Sequence, residues 1–156
     1  MGQPVETLDL LRPSLRAVCV GINPAPKSVA AGHYYQGPLG RQFFERLRCA
    51  SVIAEEAGWD DDRAFANGIG FTDIVKRPTS NANELQPIEF EHGEALLRQK
   101  LERLRPARVV FTFKKVAERL FGKFAGCGRL AQFKLGSAPV FVMPRRLRDA
   151  TKSPSS

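Results

Sequence analysis

The stretch that decides the fold is residues 16–44, which read RAVCVGINPAPKSVAAGHYYQGPLGRQFF. It opens with a nearly continuous apolar run at residues 17–22, which is typical of a parallel strand covered on both faces. The run ends at Asn23. Asn23 precedes Pro24, which disfavours helical geometry for its backbone. Residues 24–40 are rich in Pro and Gly, so we expect a long loop, and such loops in small domains usually carry function. The stretch therefore predicts a buried strand whose carboxyl end carries a site.

Outward from this stretch, apolar runs alternate with helical patterns. The clearest helix is predicted over residues 87–104, because it begins at a proline and carries apolar residues at helical spacing. Alternating strands and helices favour a three-layer α/β/α sandwich on a mostly parallel central sheet of about four strands. The predicted strands are residues 16–22, 69–75, 107–113 and 139–143, with a further short strand at 130–135. The other predicted helices are residues 41–57, 60–67 and 114–121.

The chain has 156 residues, of which 43% are hydrophobic. This length suits one domain with a real core, which we assign to residues 1–149, followed by a flexible tail at residues 150–156. No apolar run is long enough to cross a bilayer, and the N-terminus lacks the basic and apolar regions of a secretory signal. We therefore expect a cytoplasmic protein without a membrane partner.

Charge and cysteine usage narrow the class of protein further. The net charge of +8 favours an anionic partner, nucleic acid first, although such a charge also serves solubility alone. Cys19, Cys49 and Cys127 form no CxxC pair, which argues against a zinc or iron–sulfur site and for a reducing compartment. The aspartates at residues 60–62 are interpreted as the acidic first turn of a short helix. A metal site is the alternative, disfavoured because no other ligand cluster accompanies them.

Four short blocks of sequence follow one another at the ends of the predicted strands. Sites in parallel sheets collect beyond the carboxyl ends of strands, so residues 23–40, 71–79 and 144–149 are expected to line one crevice. The blocks are Gly21-Ile22-Asn23-Pro24; Gly32-His33-Tyr34-Tyr35-Gln36-Gly37-Pro38; Gly70-Phe71-Thr72-Asp73-Ile74-Val75 with residues 77–79 and 82–85; and residues 140–144. Their order and spacing resemble those of the mismatch-specific uracil/thymine-DNA glycosylases, a branch of the uracil-DNA glycosylase superfamily. The resemblance covers about residues 10–149.

The resemblance implies a hydrolase that flips a nucleotide out of the duplex and cleaves its N-glycosidic bond. By resemblance, Asn23 holds the attacking water through its side-chain carbonyl, with Thr72 as a second contact. An Asn side chain cannot act as a true general base, so catalysis would rest on positioning and electrostatics and turnover would be slow. The alternative for Asn23 is a residue that merely caps a turn.

The resemblance also implies a pocket for the flipped base. Tyr35 corresponds to the aromatic residue that stacks on the base, and the alternative is a loop aromatic that fills the core. His33 and Tyr34 lie beside it as further candidates for base contacts, and backbone N–H groups near Ile22 and Tyr35 would contact the pyrimidine carbonyls. Gly40 replaces an Asn that the family often has near the pocket, which removes one polar base contact.

The main departure from the family lies in the basic segment that follows the last strand. The family usually has a loop there, rich in small hydroxyl residues, that grips phosphates and inserts a Leu or Arg into the base stack. In this chain Leu147 or Arg148 would be the wedge, as in other proteins that distort DNA. Arg145 and Arg146 would contact phosphates, and Lys27 is a further candidate for DNA binding. The alternative is a basic tail without a defined role.

These observations support two functional hypotheses. The first is a monofunctional glycosylase that excises uracil or thymine from G·U or G·T mismatches in double-stranded DNA, as a monomer, without metal or cofactor, at the nucleoid of a bacterium. The second is a protein of the same fold that recognises lesions in DNA with weak or no catalysis, because the second motif has diverged. A nucleotide-binding or hydrolytic domain unrelated to DNA lacks support, since the sequence has no GxGxxG, Walker or GxSxG motif.

Overall fold

The fold is a single mixed β-sheet with helices packed against it. The computed structural model describes residues 9–50 and 58–143. The strands in these ranges are β1 (Ala17–Gly21), β2 (Ile69–Asp73), β3 (Val109–Phe111), β4 (Gly128–Leu135) and β5 (Ala138–Val142). The helices are α1 (Pro26–Ala31), α2 (Pro38–Cys49), α3 (Asp60–Ala66), α4 (Pro87–Leu104) and α5 (Lys114–Phe121), with a short 3₁₀ turn at Ala82–Glu84.

Within the described ranges the sheet has five strands in the order β2-β1-β3-β5-β4. The first four of these pair in parallel, whereas β4 pairs with β5 in the antiparallel direction and forms an edge. All five residues of β2 are buried, and so are four of the five in β1, as expected of parallel strands between two layers of helices. The predicted α/β architecture with a mostly parallel sheet is therefore confirmed. The short strand predicted at 130–135 begins earlier, at Gly128, and is the fifth member of the sheet.

Alternate residues of β1 face two separate cores, because successive side chains of a strand point to opposite faces. Val18 and Val20 belong to a core that contains Leu97 of α4 and Val116 of α5. Cys19 belongs to the other core, which is largely aromatic and includes side chains of α2 and α3. The sheet is thus covered on both faces, as the three-layer prediction requires.

The prediction of a continuous loop at residues 24–40 is wrong, because this stretch contains α1 and the start of α2. Each helix begins at a proline, whose missing N–H is tolerated in a first turn. Gly32 ends α1 with a φ of 71°, in the left-handed region. The predicted extension of the next helix to residue 57 lies outside the described residues. No helix in the described ranges is long and apolar enough to span a membrane.

Candidate functional site

A cleft of about 640 Å³ lies at the carboxyl ends of β1, β3 and β5. The residues that follow these strands line it together, because parallel strands end at the same edge of a sheet. The opposite wall comes from α2, and one end comes from the first turns of α5. A volume of this size is typical of a ligand pocket. The lining residues are Ile22, Tyr35, Gly40, Gln42, Phe43, Arg46, Thr112, Phe113, Lys114, Lys115, Glu118, Cys127, Val142 and Met143.

Asn23 stands directly after the cleft residue Ile22 without itself lining the cleft, and its amide is held in one orientation. The side-chain Nδ2 donates to the backbone oxygen of Arg77 at 2.9 Å and to Oγ1 of Thr79 at 2.7 Å. Thr79 Oγ1 in turn donates its own proton to the backbone oxygen of Asn81. Both partners of Asn23 therefore accept, which only the NH₂ end of its amide can satisfy. The Oδ1 carbonyl makes no hydrogen bond to any described residue.

The partners of Asn23 belong to the turn-rich loop after β2, not to its own turn. This loop is fixed against β1, since Thr79 N–H donates to the Pro24 carbonyl at 3.3 Å. The Arg77 guanidinium donates to both carboxylate oxygens of Glu89, at 2.7 and 3.0 Å, and to the Glu84 carbonyl. The hydrogen bond from Arg77, together with one from backbone, lowers the pKa of Glu89 to about 2. The orientation of the Asn23 amide thus depends on a loop more than 50 residues away in sequence.

Tyr35 lines the cleft in a backbone conformation with a φ of 59°. Its ring meets Phe43 edge-on at 5.1 Å and Phe71 edge-on at 5.6 Å, measured between ring centroids. Such edge-to-face contacts are favourable and define the ring orientation. The backbone of Tyr35 presses on the first turn of α2, because a Cβ added at Gly40 would lie 2.0 Å from the Tyr35 carbonyl oxygen. Gly40 is therefore required by this close approach, which explains why no larger residue occupies that position.

A buried carboxyl group lies beneath Tyr35, at the end of β2. Asp73 is 4% exposed, and its Oδ2 has no hydrogen-bond partner among the described residues. A Cβ added at Gly21 would lie 2.5 Å from Asp73 Oδ1 and 3.5 Å from the Tyr35 hydroxyl. Burial raises the pKa of Asp73 to about 7, against the opposing charge of Lys76. Burial also raises the pKa of Tyr35, with a smaller opposing effect from Thr112.

His33 and Tyr34, two predicted base-binding residues, do not line the cleft. Asp61, which is 1% exposed, holds both: it accepts from His33 Nδ1 at 2.9 Å and from the Tyr34 backbone N–H at 2.8 Å. The His33 ring stacks on Trp59 at 3.9 Å, and Tyr34 is only 6% exposed. The two residues therefore attach the loop to α3. No local sequence pattern indicated this contact, because its partners lie 27 and 28 residues apart.

The aspartate run forms the first turn of α3, as predicted, but a histidine joins it. Ligand atoms of His33, Asp61 and Asp62 lie within 4.8 Å of one another. The Asp61 carboxylate already accepts hydrogen bonds from His33, from the Tyr34 backbone and from the Asp62 backbone. The arrangement is thus a hydrogen-bonded link between loop and helix.

Thr72, predicted as a second contact for the attacking water, is 1% exposed and lies outside the cleft. Its hydroxyl donates to Asp9 at 2.8 Å and accepts from Lys76 Nζ at 2.8 Å. Asp9 also pairs with Lys100 of α4 at 2.6 Å. Burial would raise the pKa of Asp9, but the charge of Lys76 and hydrogen bonds from both lysines and Thr72 hold it below its ordinary value. This network attaches the segment before β1 to β2 and α4, and the Thr72 hydroxyl takes part in it both as donor and as acceptor.

The predicted DNA-binding residues are only partly described. Lys27 is exposed, in the first turn of α1, whereas Arg145, Arg146, Leu147 and Arg148 lie outside the described residues. The structure adds cleft residues that sequence reasoning missed: Gln42, Arg46, Lys114 and Lys115. The only signal for the two lysines was their position directly after a buried strand.

The order of the strands, the cleft at their carboxyl ends and the fixed asparagine beside it define an α/β protein with a pocket at the sheet edge. Residues 8–153 match the family model for the uracil DNA glycosylase superfamily. The chain belongs to that superfamily, which confirms the resemblance found in its motifs.

A curated protein of the same superfamily is similar in sequence to this chain. The chain is 30% identical over 137 residues to a G/U mismatch-specific uracil DNA glycosylase of Schizosaccharomyces pombe. The similarity covers 81% of this chain but only 42% of that relative. This chain therefore spans less than half the length of the relative that it matches.

Proposed function

We propose that this chain is a monofunctional DNA glycosylase that flips uracil or thymine out of G·U or G·T mismatches and hydrolyses the N-glycosidic bond. Membership of the uracil DNA glycosylase superfamily supports the removal of uracil. The name of the Schizosaccharomyces pombe relative supports G·U mismatches as substrates. Thymine rests only on the resemblance of residues 32–38 to the thymine-DNA glycosylase branch. The proposed partner is double-stranded DNA, which suits the net charge of +8.

The observation that carries this proposal is the orientation of the Asn23 amide. Two acceptors, the Arg77 carbonyl and Thr79 Oγ1, hold its NH₂ group. Its carbonyl oxygen therefore stays available as a hydrogen-bond acceptor next to Ile22, a residue of the cleft wall. An acceptor that is fixed before substrate binds positions a water without reorganisation during the reaction.

The proposed reaction needs no residue that takes up a proton from the water before attack. The glycosidic bond breaks toward an oxocarbenium-like sugar, the electron pair leaves with the base, and the water oxygen bonds to C1′. One water proton stays on the new C1′ hydroxyl, the other is released, and the departing base anion takes up one proton in its place, so the products are the free base and an abasic site. The Asn23 oxygen orients the water but does not titrate. Tyr35 and Phe43 supply an apolar wall for the flipped base.

The test is release of uracil from oligonucleotide duplexes, detected by alkali cleavage at enzyme excess. We expect product from G·U duplexes, slower product from G·T duplexes, and a loss of about 100-fold or more in rate for Asn23→Ala, as when one preorganised polar group is removed from an active site. Asn83→Ala is the matched control, because Asn83 is an exposed asparagine of the loop after β2 and lies outside the cleft.

The same assay separates the proposal from the non-catalytic alternative. A folded wild-type protein that yields no product overnight would rule out the glycosylase, and lesion-selective gel shifts without product would favour a binding protein. An Asn23→Ala variant as active as wild type would rule out the role of Asn23 alone.

A further inference from the structure

Phe113 is an exposed aromatic residue on the rim of the cleft. It directly precedes α5 and is 38% exposed. Trp59, Ile88 and Leu96 are the other exposed large apolar side chains in the described ranges, and none of them lines the cleft. Trp59 is partnered by the stacked ring of His33, whereas Phe113 makes no ring contact within the described ranges. Its ring therefore offers an unpartnered aromatic surface at the mouth of the candidate site.

Two lysines stand beside this ring. Lys114 and Lys115 form the start of α5, both line the cleft, and the first turn of the helix has no acidic residue. Glu118 also lines the cleft, one turn further along the helix. Lys114 Nζ lies over the Phe124 ring, 5.1 Å from its centroid, so the two lysines follow Phe113 in the chain with one of them in contact with a second aromatic ring. An exposed aromatic ring next to cationic side chains is the combination with which proteins bind unstacked nucleic acid.

The cleft has two aromatic positions at different depths. Tyr35 is held inside by contacts with the aromatic core, and Phe113 lies on the rim. When a nucleotide leaves the duplex, the bases that flanked it each lose a stacking neighbour, so one face of each flanking base becomes accessible. A flanking base stays with the duplex and so lies outside the inner pocket, at the level of a rim residue.

We propose that Phe113 stacks on a base that flanks the flipped nucleotide, while Lys114 and Lys115 bind the adjacent phosphates. This inference rests on the proposed function, since it needs a nucleotide in the cleft. It adds a residue that favours binding to DNA in which a base is extruded or missing. Phe113 then contributes affinity for duplexes with an extruded or missing base and little for intact duplexes, where the flanking faces are covered. The lysines contribute to both, because phosphate contacts are independent of the base.

The experiment measures dissociation constants by fluorescence anisotropy for a duplex with an abasic analogue opposite guanine and for the same duplex undamaged. Phe113→Ala is expected to weaken binding to the abasic duplex by about 5- to 100-fold, as for the loss of one base–aromatic stack. Its binding to the undamaged duplex should stay within about twofold of wild type. Phe113→Trp should retain the affinity for the abasic duplex. Leu96→Ala, with a side chain 40% exposed, is the matched control outside the cleft.

The two lysines have a separate readout. Lys114→Ala combined with Lys115→Ala should weaken binding to both duplexes and lower the slope of log K against log salt by about 2, since each phosphate contact contributes about 0.9. An unchanged slope would overturn the phosphate contacts.

The outcomes for Phe113→Ala distinguish this inference from the proposed function. Unchanged binding to the abasic duplex, or an equal loss for both duplexes, would overturn the stacking role while wild type still releases uracil. A wild-type protein that neither releases uracil nor prefers the abasic duplex would overturn both.

Discussion

Asp73→Asn should stabilise the protein, and increasingly so as the pH rises. The carboxyl group is 4% exposed, and burial raises its pKa from 3.8 to about 7. Below pH 4 the group is neutral in both the folded and the unfolded chain, so it contributes no difference. Between pH 4 and 7 it ionises only in the unfolded chain, which lowers the free energy of unfolding as the pH rises. This pH dependence of the unfolding free energy is opposite in sign to that of a carboxylate held in a salt bridge.

The magnitude follows from the size of the pKa change. One pKa unit corresponds to about 1.4 kcal/mol, so the change at Asp73 amounts to about 4 kcal/mol above pH 7 and about 2 kcal/mol at pH 5. The Asn variant cannot ionise and escapes this loss. These values are upper limits, because the buried carboxamide needs hydrogen bonds of its own. The cost of burying the carboxamide does not depend on pH, so the difference in unfolding free energy between variant and wild type should grow by about 2 kcal/mol from pH 5 to pH 8.

Urea unfolding at several pH values measures this difference directly. The other titrating groups are the same in both proteins, so their contributions cancel when the unfolding free energy of wild type is subtracted from that of the variant at each pH. NMR titration of the Asp73 carboxyl carbon gives the pKa independently. A difference in unfolding free energy that stays constant from pH 5 to pH 8, together with an ordinary carboxyl pKa, would refute the account of Asp73 as a carboxyl group whose pKa is raised by burial.

Two further changes probe the support of the site and the packing of the sheet. Thr79→Val removes the hydroxyl that fixes Asn23, so we expect a rate of uracil release about 10-fold lower with a stability loss of only about 1 kcal/mol; a variant with wild-type activity would contradict the orienting role. Gly93→Ala places a Cβ 1.9 Å from the Ile74 carbonyl oxygen and should destabilise the fold by about 1–3 kcal/mol in urea unfolding. Gly37→Ala, where a Cβ meets nothing within 4 Å, should change stability by less than about 1 kcal/mol, and equal losses in the two variants would count against the packing argument.

Much of the fold was predictable because its main signals are local. The runs that became β1 and β2 are apolar almost throughout, since parallel strands are buried on both faces. The helix predicted over residues 87–104 has the observed bounds, because a proline can only begin it and the apolar spacing is regular. The prediction of a loop at residues 24–40 was wrong, because proline and glycine occur both in loops and at the ends of helices. Only packing distinguishes the two.

The candidate site was predictable at the level of motifs and not at the level of contacts. The sequence by itself determined the family and the alternation of strands and helices. Of the three segments predicted to meet in one crevice, residues 23–40 contribute to the cleft, residues 71–79 do not line it, and residues 144–149 lie outside the described residues. Only the tertiary structure decided that Asn23 is held by Thr79, that His33 and Tyr34 attach to Asp61, and that Thr72 belongs to a partly buried ion cluster. These contacts join residues 27 to 63 positions apart in the chain. A local pattern can place a residue on a strand or a loop, but the partner of a polar side chain is set by where distant segments pack.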